Sequence, residues 1–332
     1  MGKFILKRLL WVIPVMLGVV LIVFAIDRFT PGDPVAAALG SGYTQEQYDA
    51  KEAELGLNRP FFVQFASYLE GIVTRFDLGN SSHTGLPVAS SILQRFPLTL
   101  KLALWSILIA VCVGIPSGVI TATRQNSILD RIVTVFSLIF AAMPGFWLAL
   151  MLMIVFAINI KLFPASGVDG WKSWVLPALA SGLSFIASFT RMTRSSMLDV
   201  VRQDYITTAR AKGQKEGVVI RRHALRNALI PIVTMIGVQF GILISGSVVV
   251  ETIYSMPGLG SLMMTAINNK DYPVIEGCVL MLAGLICIIN LITDLCYGFV
   301  DPRIMAQYTT GKKKKKQEPT LLNAEEGGVA NA

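Results

Sequence analysis

Charge is scarce in this sequence. Only 15% of its 332 residues are Asp, Glu, Lys or Arg, against 53% hydrophobic, and the mean hydropathy is +0.60. A water-soluble domain of this length needs far more charge on its surface. Histidine is scarcer still. His83 and His223 are the only two, and neither has a ligand partner or a Ser/Asp companion at a motif spacing. No G-x-S-x-G, H-E-x-x-H or paired acidic motif occurs, and no G-x-x-x-x-G-K-[ST] phosphate loop. No catalytic, cofactor-binding or metal-ligating residues are therefore assigned, and the chain is not expected to be an enzyme or to hydrolyse ATP itself. Cysteine is limited to Cys112, Cys278, Cys287 and Cys296, all within apolar runs. The last three are nine residues apart, which turns Cys287 away from the other two on a helix. That spacing builds neither a disulfide nor a metal site, and the four are read as free thiols in the membrane.

What the sequence does hold is long apolar runs. Six approach the roughly 20 residues that span a bilayer as a helix: about 9–27, 98–121, 132–157, 173–190, 229–250 and 276–299. They are continuous rather than alternating, which argues against a β-barrel. The fold class expected is an all-α polytopic membrane protein with six transmembrane helices. Lys3, Lys7 and Arg8 before Leu9–Ile26 have the outline of a signal peptide, and Val23-Phe24-Ala25 faintly imitates a cleavage site. We read this segment as a retained first span.

The formal net charge of +8 follows the spans rather than any nucleic-acid patch, since no aromatic-interleaved basic cluster occurs. Lys and Arg concentrate at 3–8, at Arg124 and Arg131, between Arg191 and Arg226, and at Arg303 and Lys312–Lys316. The opposite short loops hold only Lys161, Lys172 and Lys270. The bias predicts that both termini and the 191–228 loop are cytoplasmic. The organisation expected is a cytoplasmic N-terminus and first span (1–27), a long extracytoplasmic loop (28–97), a core (98–305) and a polar, disordered tail (306–332).

Within the outer loop, Thr44-Gln45-Glu46-Gln47 has capping-box spacing and Gly56 offers a stop, which predicts a surface helix at about 45–55. That helix could contact an extracytoplasmic partner or cover helix ends as a lid. In the fourth span Ser181, Ser184 and Ser188 share a face; in the fifth, Thr234, Val238, Gly241 and Ser245 do, with Gln239 nearby. These stripes read either as tight helix packing or as the lining of a translocation path. Gly114-x-x-x-Gly118 and Gly237-x-x-x-Gly241 read as packing. Asp294 is the one acid placed inside a predicted span, near its cytoplasmic end, within reach of water or Arg303.

The densest signal runs from Asp204 to Pro231. Asp204 can cap a short helix from about Tyr205 to Lys212. Tyr205, Thr208, Ala209 and Lys212 would share one face, with Thr208 and Ala209 small enough for another protein surface to approach. Gly213 permits the left-handed turn that stops the helix. A second, basic helix follows through Arg226, and Pro231 is expected to kink the entry into the fifth span.

At these residues the sequence resembles the permease subunits of ABC importers, whose cytoplasmic loop carries EAA, three residues, G, then I-x-L-P. Thr207-Thr208-Ala209 stands for EAA, Gly213 for the glycine and Ala228-Leu229-Ile230-Pro231 for the end. The missing Glu and the longer spacing resemble the dipeptide/oligopeptide/nickel branch. So do Tyr205–Gly213, Arg222-His223-Ala224-Leu225-Arg226-Asn227 and Pro31-Gly32-Asp33-Pro34. Further matches are Asp77-Leu78-Gly79-x-Ser81, Pro164-Ala165-Ser166-Gly167, Glu251-x-x-Tyr254-x-x-Pro257-Gly258-Leu259-Gly260, Asp294-Leu295-x-Tyr297 and Asp301-Pro302-Arg303. The resemblance implies a type I importer permease in a bacterial or archaeal inner membrane, for short peptides or, alternatively, nickel or a metal chelate. It implies pairing with a second homologous permease subunit, two ATPase subunits docked on the loop, and an extracytoplasmic solute-binding protein. ATP with magnesium would sit on the ATPases. An ion-coupled secondary transporter is the competing class, and Asp294 is the one intramembrane acid that reading could use.

Overall fold

The computed structural model describes residues 2–29, 33–40, 42–54 and 56–300. Among them every regular element is helical, apart from one isolated bridge between Asn80 and Pro87. The expected Asp301-Pro302-Arg303 ending and the polar tail lie outside the described residues.

Helix α1 (Gly2–Phe29) carries the first span and lies against the last helix, α13 (Tyr272–Val300). Its Leu10, Trp11, Ile13 and Ile22 are exposed, the expected state for side chains that face lipid. Asp294 of α13 pairs with Arg8 of α1 at 2.9 Å. Arg8 is thus a structural partner for this acid, and Arg303 lies outside the described residues.

The outer loop is largely helical: α2 (Pro34–Leu39), α3 (Gln45–Glu54) and α4 (Phe61–Arg75). Helix α3 is the helix expected at about 45–55. Its capping box forms in both directions, with Gln47 N–H donating to Thr44 Oγ1 (3.3 Å) and Thr44 N–H to Gln47 Oε1 (3.0 Å). Helix α4 was not foreseen. It packs Phe61, Phe65 and Tyr68 around Phe24 of α1, with ring centroids 5.4–5.6 Å apart.

The second span is α5 (Val88–Thr123), which starts well inside the stretch assigned to the loop. The third departs from expectation. It is a pair, α6 (Ile128–Ala142) and α7 (Gly145–Leu152) with a π turn (Met153–Asn159), bent by 106°. The bend sits at Met143-Pro144. Pro144 holds the residue before it in extended backbone, and Met143 has φ −78° and ψ 132°. Among the described residues five helices are thus long and apolar enough to cross a membrane, and the bent pair makes six if counted as one span.

Helix α8 (Lys172–Val201) holds the fourth span and α11 (Leu225–Ile253) the fifth; both continue past the expected boundaries. Between α11 and α13 lies α12 (Leu259–Asn269). The glycine motifs act in packing, as their spacing suggests. A Cβ on Gly114 would stand 2.6 Å from Phe189 Cβ, and one on Gly118 2.5 Å from Thr193 Cβ, so α5 and α8 meet with no room for a side chain. Gly237 of α11 meets Thr293 of α13 in the same way.

Candidate functional site

The basic loop folds into a helix resting on its own small core. Helix α9 (Asp204–Ala211) begins one residue earlier than expected: Gln203 occupies the cap position and Asp204 is the first helical residue. Gly213 ends the helix at φ 75°, and its N–H donates to the Arg210 carbonyl at 2.9 Å. That backbone region carries no penalty for glycine.

The proposed contact face divides. Tyr205 (44% exposed), Thr208 and Lys212 point away from the protein. Ala209 (7% exposed) points inward with Ile206 (0%), into a cluster formed by Ala122 of α5, Met197 of α8, and Val219, Ala224 and Ala228. The close approach permitted by its small side chain is made by the chain's own helices. Expecting four residues on one face misjudged the inward direction, which Ile206 and Ala209 at i and i+3 define.

Polar contacts span the Gly213 turn. Arg210 donates from Nε (3.1 Å) and Nη2 (2.7 Å) to the two carboxylate oxygens of Glu216, which holds the guanidinium pKa further above its usual range. His223 Nε2 and Gln214 Oε1 are 2.8 Å apart. Asn227 Nδ2 donates to Tyr205 Oη and to the His223 carbonyl, both at 3.0 Å. Glu216 opens α10 (Glu216–Val218), which runs through a π turn (Val219–Ala224) directly into α11. Arg226 is exposed on this stretch. Pro231 lies inside α11 without ending it, and a π turn precedes α11.

A second contact steadies the base of the loop. Arg194 of α8 donates from Nε and Nη2 to Asp130 of α6, both at 3.0 Å, and Asn126 N–H adds a third bond to the same carboxylate at 3.0 Å. A paired guanidinium–carboxylate contact fixes orientation as well as distance. Arg194 lies within the basic stretch between Arg191 and Arg226, where charge count alone does not reveal this pairing.

The polar stripes contribute mainly local bonds. Ser184 Oγ donates to the Phe140 carbonyl of α6 (3.3 Å), Ser188 to Ser184 O (3.2 Å) and Ser245 to Gly241 O (3.3 Å). Gly241 is buried, with Ile286 of α13 4.0 Å from where a Cβ would be. Gln239 is half-buried. Ser181 Oγ and Thr234 Oγ1 are buried without a hydrogen-bond partner. Ser184 and Gly241 thus take part in helix packing, whereas Ser181 and Thr234 retain unused polarity inside the bundle.

At the opposite end lies a buried acid that was read only as part of a motif. Glu251, on the last turn of α11, is 0% exposed. The hydropathy boundary at 250 had left it just outside the span. Its Oε1 accepts from Thr99 Oγ1 of α5 (2.6 Å), and its Oε2 from the N–H groups of Gly260 (2.8 Å) and Ser261 (3.1 Å) at the start of α12. Thr99 Oγ1 also accepts from Leu259 N–H (2.8 Å). Beyond α12, Asp271 accepts from the Ser81 hydroxyl and from Ser82 N–H (3.0 Å). An acid followed by Gly258 and Gly260 was the available signal, since both glycines abut the carboxylate and a Cβ on either would overlap it.

Residues 114–306 match the family described as binding-protein-dependent transport system inner membrane component, and residues 1–103 match its N-terminal companion. The chain is 39% identical to a dipeptide transport system permease protein of Escherichia coli and 38% identical to one of Alkalihalophilus pseudofirmus. It is 41% identical to a putative peptide transport system permease protein of Brucella abortus. Each match covers 92% of this chain and 99% of the relative. Among solved structures, a chain of the inward-facing MetNI methionine ABC transporter superposes with TM-score 0.56 at 19% identity, over 64% of this chain and 97% of the other, a likeness of fold.

Proposed function

The chain belongs to the family of inner membrane components of binding-protein-dependent transport systems, and from that premise we propose that it is the permease subunit of an ATP-driven importer of short peptides. It forms half of the translocation path beside a second, homologous permease subunit. Two ATPase subunits dock on the basic loop, and an extracytoplasmic binding protein delivers the solute. The loop and both termini face the cytoplasm, as the Lys and Arg bias favours. ATP with magnesium is held by the ATPases.

One observation carries the coupling role. Helix α9 exposes Tyr205, Thr208 and Lys212 while its inward face is seated on α5, α8 and the start of the fifth span. A partner that grips the outer face therefore pushes on a seated element, and the push reaches α11 through the packing of Ile206 and Ala209 against Val219, Ala224 and Ala228. Ala209 and Gly213 serve by seating and ending the helix. Ser181, Thr234 and Gln239 remain the candidates for path lining.

Gly213→Asp tests the reading. A side chain at φ 75° strains the turn and an added acid faces the docking surface. The variant subunit is expected to reach the membrane and to lose peptide uptake when assembled with its ATPases and binding protein. Undiminished uptake would overturn the coupling role. Uptake that persists without any ATPase would place the chain among ion-coupled transporters.

A further inference from the structure

We infer that Glu251 is a positioning residue that fastens α5 and α12 to the far end of α11, so that the far mouth of the bundle turns as one body with the basic loop. This rests on the coupling role proposed above and adds the link by which the motion leaves the membrane at the other side.

The helical stretch from Glu216 to Ile253 begins at the basic loop and ends two residues past Glu251. Packing alone could hold neighbouring helices, but the chemistry here exceeds packing. Taking a carboxylate out of water is costly unless its oxygens find donors. Glu251 has three, supplied by two other elements: the Thr99 hydroxyl of α5 and the N–H groups of Gly260 and Ser261 of α12. The carboxyl oxygens also lie at the N-terminal end of α12, where the unpaired N–H groups of the first turn favour an acceptor. Thr99 closes the circuit by accepting from Leu259 N–H. Gly258 and Gly260 leave the carboxylate only the space it fills.

The neighbouring contacts extend the same joint. Tyr254 Oη donates to the Ala149 carbonyl of α7 at 3.0 Å, and Gly167 N–H donates to the Tyr254 carbonyl at 3.3 Å. Asp271 holds the far end of α12 to the 81–82 turn. Helix α12 is thus gripped at both ends, and the grip nearest α11 depends on one acid.

The test uses the assembled transporter, both permeases with ATPases and binding protein, carrying nitroxide labels at Asn268 on α12 and Ser90 on α5. The four native cysteines of this chain are replaced by alanine. The label-to-label distance and the peptide imported per ATP hydrolysed are measured with and without trapped nucleotide. With Glu251 present, the distance is expected to be narrow and equal in both states. In E251A it broadens and becomes state-dependent, and peptide per ATP falls by about tenfold, as loss of a buried acceptor shared by three donors implies. E251Q, which keeps an oxygen for the backbone donors, restores part of both readings.

An E251A transporter with a narrow, unchanged distance and the parent ratio of peptide to ATP would overturn the inference. So would a loss of uptake and ATPase in equal proportion, because a merely structural role lowers both together. Should E251A fail to assemble, T99V supplies the same readings, since it keeps the acid and removes one donor. Gly213→Asp in the same assay isolates the coupling role: undiminished uptake there refutes that role, whereas the distance in E251A reports on the joint alone.

Discussion

The two ends of the bundle are held together by different chemistry. At the basic-loop end, the contacts among α9, the Gly213 turn and the start of the fifth span lie at the surface: Arg210 with Glu216, Tyr205 with Asn227, and Gln214 with His223. Beneath them is a core of small and medium apolar side chains. At the far end, two buried acids, Glu251 and Asp271, take their bonds from backbone N–H groups and hydroxyls of other elements. Exposed ion pairs in water stabilise little, whereas a buried acceptor whose donors have no substitute is expensive to remove. The basic-loop end is therefore seated but leaves polar groups facing outward. The far end is closed on itself.

Three substitutions probe that contrast. The largest effect is expected from Asp271→Ala, which strands the buried Ser81 hydroxyl and the Ser82 N–H. It should cost about 2–3 kcal/mol in thermal unfolding of the purified subunit and raise amide exchange across 77–88. Asp130→Ala comes next, because Arg194 is partly exposed and regains water once its carboxylate is gone. About 1–2 kcal/mol is expected in the same measurement, with faster exchange at 126–134. Arg210→Ala should be smallest, below about 1 kcal/mol, since both partners are exposed. An Arg210→Ala effect as large as that of Asp271→Ala would erase the difference between the two ends. A cost that appears only when the ATPases are bound would sharpen it.

Much of this architecture is legible from hydropathy and spacing. Apolar runs locate the membrane helices because lipid forces every backbone bond inside the helix. The capping box of α3 and the stop at Gly213 are local chemistry, and local chemistry survives folding. Other features escaped for identifiable reasons. The Met143-Pro144 break was hidden because the apolar run continues through it; the Pro-Gly pair at 144–145 was the signal. The inward face of α9 depends on a core assembled from α5, α8 and α11, which spacing within α9 does not reveal. Arg194 with Asp130, and Glu251 with Thr99, join residues far apart in the chain, so the charge counts that set topology could not distinguish a paired acid or base from a solvated one.

The seam between α5 and α8 carries a further consequence. Gly114 and Gly118 are pressed against Phe189 and Thr193 with no space for even a methyl group. Sliding one helix past the other by a turn would drive larger side chains into those positions, so the pair has a single register and shear along it is blocked. Away from that seam the bundle has irregular points, among them the bend at Met143-Pro144 and the π turn at 153–159. Beside them the glycine seam is a fixed axle.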